Sequence, residues 1–173
     1  PGAGWYYTPV LNYLKDNMNC TGLELGKVIC DNYTEYYSKD NAKDDITIAT
    51  FDLNKVDTAM IELNYLTKYL SDAISSKPES ANILLEMLSD RVRFGTFNEL
   101  IDIGSLIAYF DETKDFDYNT SNLKNAFNEL MCHKNICEPY SSKGAIGITM
   151  YIPKEVVSYN LLLQYRNACF SPY

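Results

Sequence analysis

The side chains best suited to nucleophilic chemistry are the single histidine, His133, and five cysteines, at positions 20, 30, 132, 137 and 169. A thiol nucleophile needs a nearby base, so a Cys-His mechanism within this chain would have to use His133. Cys132 is its neighbour in sequence, but catalytic pairs are built from separate elements that converge in space, so adjacency predicts no dyad. We interpret His133 as a residue at the C-terminal end of a helix, where a positive charge on its ring would interact favourably with the helix dipole. We therefore assign no catalytic residue to this chain.

The cysteines also limit the structural chemistry of the chain. An odd number leaves at least one thiol free, and none of the spacings is typical of a zinc site. Cys132 and Cys137 bracket four residues, and this spacing admits a disulfide-closed loop if the compartment oxidises thiols.

An acidic stretch resembles part of a calcium-binding loop. Asp115, Asp117 and Asn119 match the first three ligand positions of an EF-hand. However, Thr120 stands where the sharp turn needs glycine, and Ala126 stands where a bidentate glutamate is needed. We interpret the stretch as a solvated loop that caps the next helix, and we assign no metal ligand.

The chain opens with Pro1-Gly2-Ala3-Gly4, followed by its only tryptophan, Trp5. A glycine turn that presents an aromatic ring can line a ligand pocket, because the backbone can approach a ligand closely there. The same pattern also forms tight turns that lead into helices. The residues alone leave both interpretations open.

Composition predicts one compact domain and excludes two classes of partner. The 173 residues are 46% hydrophobic and 22% charged, which is typical of a folded domain. The net charge is −8 and the basic residues are scattered, which argues against nucleic acid binding. No apolar run is long enough to span a bilayer, so we expect no membrane span. The sequence starts with proline instead of methionine and does not open with the charged and then apolar pattern of a leader peptide. We therefore expect the chain to begin inside a longer gene product.

The hydrophobic pattern predicts a mostly helical chain with two strands. Helices are expected after Thr8-Pro9, after a Thr21 to Glu24 capping box, after Asp52, from Pro78 to about Val92, after Asp102, after Thr120 or Ser121, and in the tail at 159–170. Strands are expected at 46–51 and 144–152, and a polar loop at 133–143. Two strands so far apart rarely form a stable sheet alone, so we expect them to join a sheet whose other strands lie elsewhere.

Several segments, in order along the chain, carry a family resemblance. They are the Pro-Gly-x-Gly-Trp turn at 1–5, Leu-Glu-Leu-Gly-Lys-Val-Ile at 23–29, Thr-Phe-Asp-Leu-Asn-Lys-Val at 50–56, and the segments 94–103 and 144–153. Together they resemble the C-terminal half of the clostripain family of cysteine peptidases.

This resemblance implies a fold and an activity. The fold class is α/β: the C-terminal part of a caspase-like α/β/α sandwich, mostly helical with a few strands. The activity is that of an endopeptidase that cleaves after Arg or Lys. Its catalytic residues are a histidine followed by glycine and a cysteine at a strand end, both of which precede the Pro-Gly-x-Gly-Trp turn. His133 and Cys132 do not match these motifs. The turn itself, Gly2, Ala3, Gly4 and Trp5, would lie beside the specificity pocket and bind substrate.

The resemblance also implies the role of the chain. Residues 1–173 would form a single C-terminal scaffold and substrate wall, inactive alone, whose partners are the N-terminal catalytic half and peptide or protein substrates. No cofactor is expected in this chain. Calcium dependence is known in the family and is left open for the parent, which would be an exported, secreted or cell-surface bacterial protein. Alone, the chain should expose apolar faces and associate. The alternative function is a non-catalytic helical binding or structural module of a parent without the Cys-His dyad.

Overall fold

A computed structural model describes residues 4–38, 47–89, 91–94, 100–113 and 115–152. The helices and strands in these ranges are, in chain order, α1 (Tyr7–Asp16), α2 (Gly22–Ser38), β1 (Thr47–Phe51), α3 (Val56–Ser76), α4 (Ser80–Ser89), β2 (Arg93–Phe94), β3 (Leu100–Asp102), α5 (Ile103–Glu112), α6 (Ser121–Leu130), β4 (Met131–Ile136) and β5 (Thr149–Tyr151). Short 3₁₀ turns occupy Leu53–Lys55 and Ser141–Lys143. The chain is therefore a helix-rich α/β protein, as predicted. The predicted tail helix at 159–170 lies outside the described residues.

The predicted helices form, with local corrections at their ends. The capping box is confirmed: Glu24 N–H donates to Thr21 Oγ1 at 3.2 Å, and Thr21 N–H donates to Glu24 Oε2 at 2.7 Å. The prediction that Thr8 caps α1 is wrong, because the helix already begins at Tyr7 and no side chain caps it. Helix α4 begins at Ser80 and ends at Ser89, since Pro78 lies in the preceding turn.

The strands form two small antiparallel sheets. β1 pairs with β4, with Thr47 opposite Ile136 and Thr50 opposite His133. The other sheet has the order β2-β3-β5. The prediction that the two expected strands lack partners in this chain is wrong, because each pairs with a strand that the hydrophobic pattern did not indicate. The expected strand at 144–152 is ordered as strand only at Thr149–Tyr151.

Strand β4 overturns two predictions, the helix end and the polar loop at His133, and it decides the open question of a disulfide between Cys132 and Cys137. His133 lies in a strand, not at a helix end or in a polar loop. Cys132 and Cys137 are not joined by a disulfide: Cys132 lies in β4 and Cys137 directly follows the end of this strand. Five residues of extended chain span about 16 Å, which exceeds the roughly 7 Å limit between the Cα atoms of a disulfide.

Helix α6 and strand β4 share a boundary without a loop. The helix ends at Leu130 and the strand begins at Met131. The backbone N–H of Asp52, which follows β1, donates to the Leu130 carbonyl at 2.8 Å. This bond fixes the start of β4 beside the end of β1.

One apolar core joins the helices to the second sheet. Its buried residues come from α3 to α6, from β3 and from two loop positions: Ala59, Leu63, Leu66, Met87, Leu88, Ile101, Ile103, Leu106, Ile107, Phe110, Phe116, Leu123, Ala126, Phe127, Leu130 and Ile146. Helix α2 packs on the other sheet, where Gly26 approaches Thr50 so closely that a Cβ would lie 2.9 Å from its methyl carbon. These contacts place α2 and β4 side by side. In the described ranges, no helix combines the length and apolar character needed to cross a membrane.

Candidate functional site

The predicted substrate-binding turn lies at the start of the described chain. Gly2 and Ala3 lie outside the described residues. Gly4 and Trp5 directly precede α1, and 53% of the Trp5 side chain is exposed. About half of the Trp5 surface is therefore open to solvent, while the rest packs on the protein.

The protein surface that contacts this turn is a tyrosine face on α2. Tyr33, Tyr36 and Tyr37 are three and four residues apart, so their rings share one side of the helix. The Tyr33 and Tyr37 ring centroids are 4.8 Å apart, and the Tyr36 and Tyr37 centroids are 5.0 Å apart with the rings edge to face. We refer to these three residues as the tyrosine face.

The tyrosine face contacts the turn at three points. Trp5 and Tyr33 have ring centroids 5.4 Å apart, in a tilted arrangement. Tyr6 stacks on Tyr36 at 4.5 Å. The Tyr37 hydroxyl donates a hydrogen bond to the Gly4 carbonyl oxygen. Sequence reasoning missed the tyrosine face as a site because the helical spacing of its residues gave no indication of what they contact.

The chemistry available at this surface is contact with an extended chain or a cation. An exposed indole offers a flat apolar face that excludes water from a ligand lying against it. The same face attracts a Lys ammonium or an Arg guanidinium through the ring quadrupole. An exposed indole at this position could therefore hold an apolar or cationic side chain by contact.

His133, the sole histidine, has a partner on α2. Its Nε2 lies 2.8 Å from Asp31 Oδ1, and Asn135 Nδ2 donates to the same oxygen at 3.1 Å. Burial acts to raise the pKa of the Asp31 carboxyl, but the hydrogen bonds from His133 and Asn135 and the charges of His133 and Lys27 outweigh it, so this pKa lies below its usual value. The imidazole is thereby engaged with a carboxylate.

The thiols of Cys132 and Cys30 contact groups other than the His133 ring. Cys132 lies at a β-bulge, where the register between β1 and β4 shifts, and its Sγ lies 4.0 Å from the Leu130 carbonyl oxygen. Cys30 is fully buried on α2, and burial raises the pKa of its thiol, with a smaller opposing contribution from Thr50. A raised pKa disfavours the thiolate that attacks carbonyls. Cys169 lies outside the described residues.

The acidic loop does not fit a calcium ion. The Tyr109 hydroxyl donates to Asp115 Oδ2 at 2.7 Å, and Asn119 Oδ1 accepts from the backbone N–H of Ser121 at 2.9 Å. These oxygens serve local hydrogen bonds. The loop caps α6 as predicted, but the capping side chain is that of Asn119, and the expected cap at Thr120 makes no such bond. Within the described ranges, no group of three or more His, Cys, Asp or Glu side chains is arranged to hold a metal ion.

An apolar groove runs between the two sheets. It has a volume of about 610 Å³ and lies between the end of β1, the start of α3, and β5. Its lining includes Phe51, Leu53, Met60, Ile148 and Met150. Leu53 is 79% exposed and Met60 is 44% exposed. The groove therefore presents apolar side chains to solvent in this chain.

The described residues form a helix-rich α/β protein with a partly exposed aromatic cluster at the start of the described chain. The sequence model of the clostripain family matches residues 1–170. The chain therefore belongs to the clostripain family, a family of cysteine peptidases. No curated protein and no solved structure matches the chain.

Proposed function

We propose that this chain is the C-terminal scaffold and substrate wall of a clostripain-like cysteine endopeptidase that cleaves after Arg or Lys. The observation that carries the proposal is the family match, which spans residues 1–170. The parent is a hydrolase that acts on proteins, and the chain contributes the surface against which the peptide lies.

The catalytic cysteine and histidine of this enzyme come from a segment that precedes the Pro-Gly-x-Gly-Trp turn. The contacts of His133 and of its neighbour support this assignment, because His133 Nε2 contacts Asp31 whereas Cys132 Sγ lies 4.0 Å from the Leu130 carbonyl oxygen. The buried Cys30 thiol supports it as well, since its raised pKa opposes thiolate formation. In the complete enzyme, the thiolate attacks the peptide carbonyl and the histidine protonates the leaving amine.

The N-terminal catalytic half docks at the apolar groove. The groove exposes Leu53 and Met60 beside β5, which forms one edge of its sheet in the described residues. An edge strand offers backbone groups to a further strand, and the groove offers apolar surface that docking would remove from water. We propose that both features are covered in the parent.

Export to the bacterial surface or medium and calcium activation complete the proposal, and both follow from the family relationship. The acidic loop at 115–119 does not fit such an ion, so a calcium site of the parent lies elsewhere.

The test is peptidase reconstitution. The chain is assayed with fluorogenic Arg and Lys peptides alone and together with the segment that precedes it in the parent, with and without calcium. We expect hydrolysis only in the assembled enzyme. Cys132→Ala and His133→Gln should leave kcat unchanged, because neither residue contacts the reacting atoms.

Two outcomes contradict the proposal. Hydrolysis by the chain alone that Cys132→Ala or His133→Gln abolishes would place the catalytic dyad within this chain. An assembled parent that contains no Cys-His pair and cleaves no peptide would instead favour a non-catalytic binding module.

A further inference from the structure

We infer that Tyr33, Tyr36 and Tyr37 are positioning residues that hold Trp5 in the peptide-binding wall. This inference rests on the proposed function, and it assigns a role to α2 that the family relationship does not. The three tyrosines act through Trp5 and Gly4 and do not contact the reacting atoms.

Three independent contacts hold residues 4–6 on the tyrosine face. Trp5 contacts Tyr33, Tyr6 stacks on Tyr36, and the Gly4 carbonyl accepts from Tyr37. The three consecutive residues at 4–6 thus each contact a different residue of α2.

Without the tyrosine face, little else would hold Gly4 and Trp5 in place. Gly4 has open space around it, since a Cβ at this position would meet no atom within 4 Å. Helix α1 begins at Tyr7 without a side-chain cap, so its first turn does not fix the preceding residues. The placement of Gly4 and Trp5 therefore depends on their contacts with the tyrosine face.

The tyrosine face holds one part of the Trp5 ring and leaves the rest exposed. Trp5 packs against Tyr33 and keeps 53% of its surface accessible. An aromatic ring that is held in place loses little further conformational entropy when a peptide binds to it. The tyrosine face therefore contributes to substrate affinity by fixing the indole in advance.

Helix α2, on which the three tyrosines lie, is itself fixed to a sheet. Helix α2 packs on the β1–β4 sheet through Gly26, and it is joined to β4 by the Asp31 contact with His133. The tyrosine face is consequently part of a rigid layer and not of a loop.

The experiment has a spectroscopic arm and a kinetic arm. Trp5 is the only tryptophan, so the acrylamide quenching of the chain reports its mobility and exposure directly. Tyr37→Phe removes one hydroxyl, Tyr36→Leu removes a stacking ring, and Tyr36→Phe restores that ring. Tyr65→Phe is the matched control, because Tyr65 is an exposed tyrosine on α3.

We expect Tyr37→Phe and Tyr36→Leu to increase the quenching of Trp5 and to raise KM for basic peptides in the assembled enzyme by about twofold to tenfold, the range that one hydrogen bond or ring contact supports. The value of kcat should stay unchanged, as expected for a loss of uniform binding. Tyr36→Phe and Tyr65→Phe should behave like the wild type.

The outcomes separate this inference from the proposed function. If Trp5→Ala raises KM but Tyr37→Phe and Tyr36→Leu do not, the tyrosines are not positioning residues and the proposed function stands. If Trp5→Ala itself leaves KM unchanged in an active enzyme, the inference is overturned because the turn does not contact the peptide. A wild-type assembly that cleaves no basic peptide overturns the proposed function and the inference with it.

Discussion

Asp102 connects three parts of the chain through a single buried carboxylate. Its Oδ1 accepts from Ser105 N–H at 3.0 Å and caps α5, while its Oδ2 accepts from Gly147 N–H at 2.8 Å. The Ile146 N–H lies 3.1 Å from Oδ1 and 3.2 Å from Oδ2. Burial raises the pKa of this carboxyl, and the backbone hydrogen bonds offset only part of that increase. The same residue therefore ends β3, begins α5 and fixes the segment that leads to β5.

Replacing Asp102 with Asn should destabilise the protein by about 1 to 3 kcal/mol, because an amide N–H₂ would face a backbone N–H donor at one of the two oxygen positions. The measurement is the free energy of unfolding in urea. Asp52→Asn is the matched control, since Asp52 also caps a helical turn but at an exposed position where Asn caps equally well. Equal stabilities for the two variants would contradict the role of the buried carboxylate.

The sequence predicted the cap at Asp102 but not its second role. A cap is recognisable because its partner lies three residues ahead, whereas Ile146 and Gly147 lie more than forty residues away. The same limit applies to the candidate site. The glycine turn and Trp5 were visible in the sequence, but their contacts with Tyr33 and Tyr37 were not, because a helical pattern does not identify what its face will meet.

At the scale of elements, Asp31 and His133 join α2 to β4. The pKa of Asp31 is lowered in the folded state, so the folded protein binds this proton less tightly than the unfolded chain does. The contribution of Asp31 to stability is therefore present above its unfolded pKa of about 3.9 and is lost as the pH falls through the lower folded pKa.

Asp31→Asn should consequently reduce the free energy of unfolding at pH 7 by up to about 1 kcal/mol, a small effect because the carboxylate is half exposed. The difference from the wild type should shrink as the pH is lowered towards 3, which urea unfolding at several pH values measures. Glu86→Gln, at an exposed position of α4, serves as the control for general charge effects. A difference that is constant with pH would argue against the contact with His133.

The helices and strand β1 were largely predictable and β5 was predicted in part, whereas β2, β3 and β4 were not predicted. Helices α2 and α3 are long, and their local patterns and the breaking Lys77-Pro78 pair marked their limits. Strand β4 has the sequence Met-Cys-His-Lys-Asn-Ile and is half-buried throughout, so no alternation of apolar and polar residues reveals it. Strands β2 and β3 have two and three residues, which is too short for a period to appear.

At the scale of the whole molecule, the apolar groove predicts association. The chain alone should form dimers or larger species at micromolar concentration, because Leu53 and Met60 are exposed around a volume of about 610 Å³. Light scattering measures this directly. Met60→Glu should shift the distribution towards the monomer, since a charge in the groove opposes burial.

Met18→Glu is the control for this prediction, because Met18 is 85% exposed in the turn after α1 and does not line the groove. If the wild type is a monodisperse monomer, the groove does not drive association. Addition of the catalytic half should suppress association of the wild type, since both processes would cover the same surface.

The direct junction of α6 and β4 limits how the length of this protein can vary. A residue inserted between Leu130 and Met131 would either reverse the faces of β4 against β1 or break the bond from Asp52 to Leu130. The first change would turn His133 away from Asp31, and the second would separate the two strands at their start. Relatives of this chain should therefore accommodate insertions and deletions in their exposed connections and keep the number of residues across this junction constant.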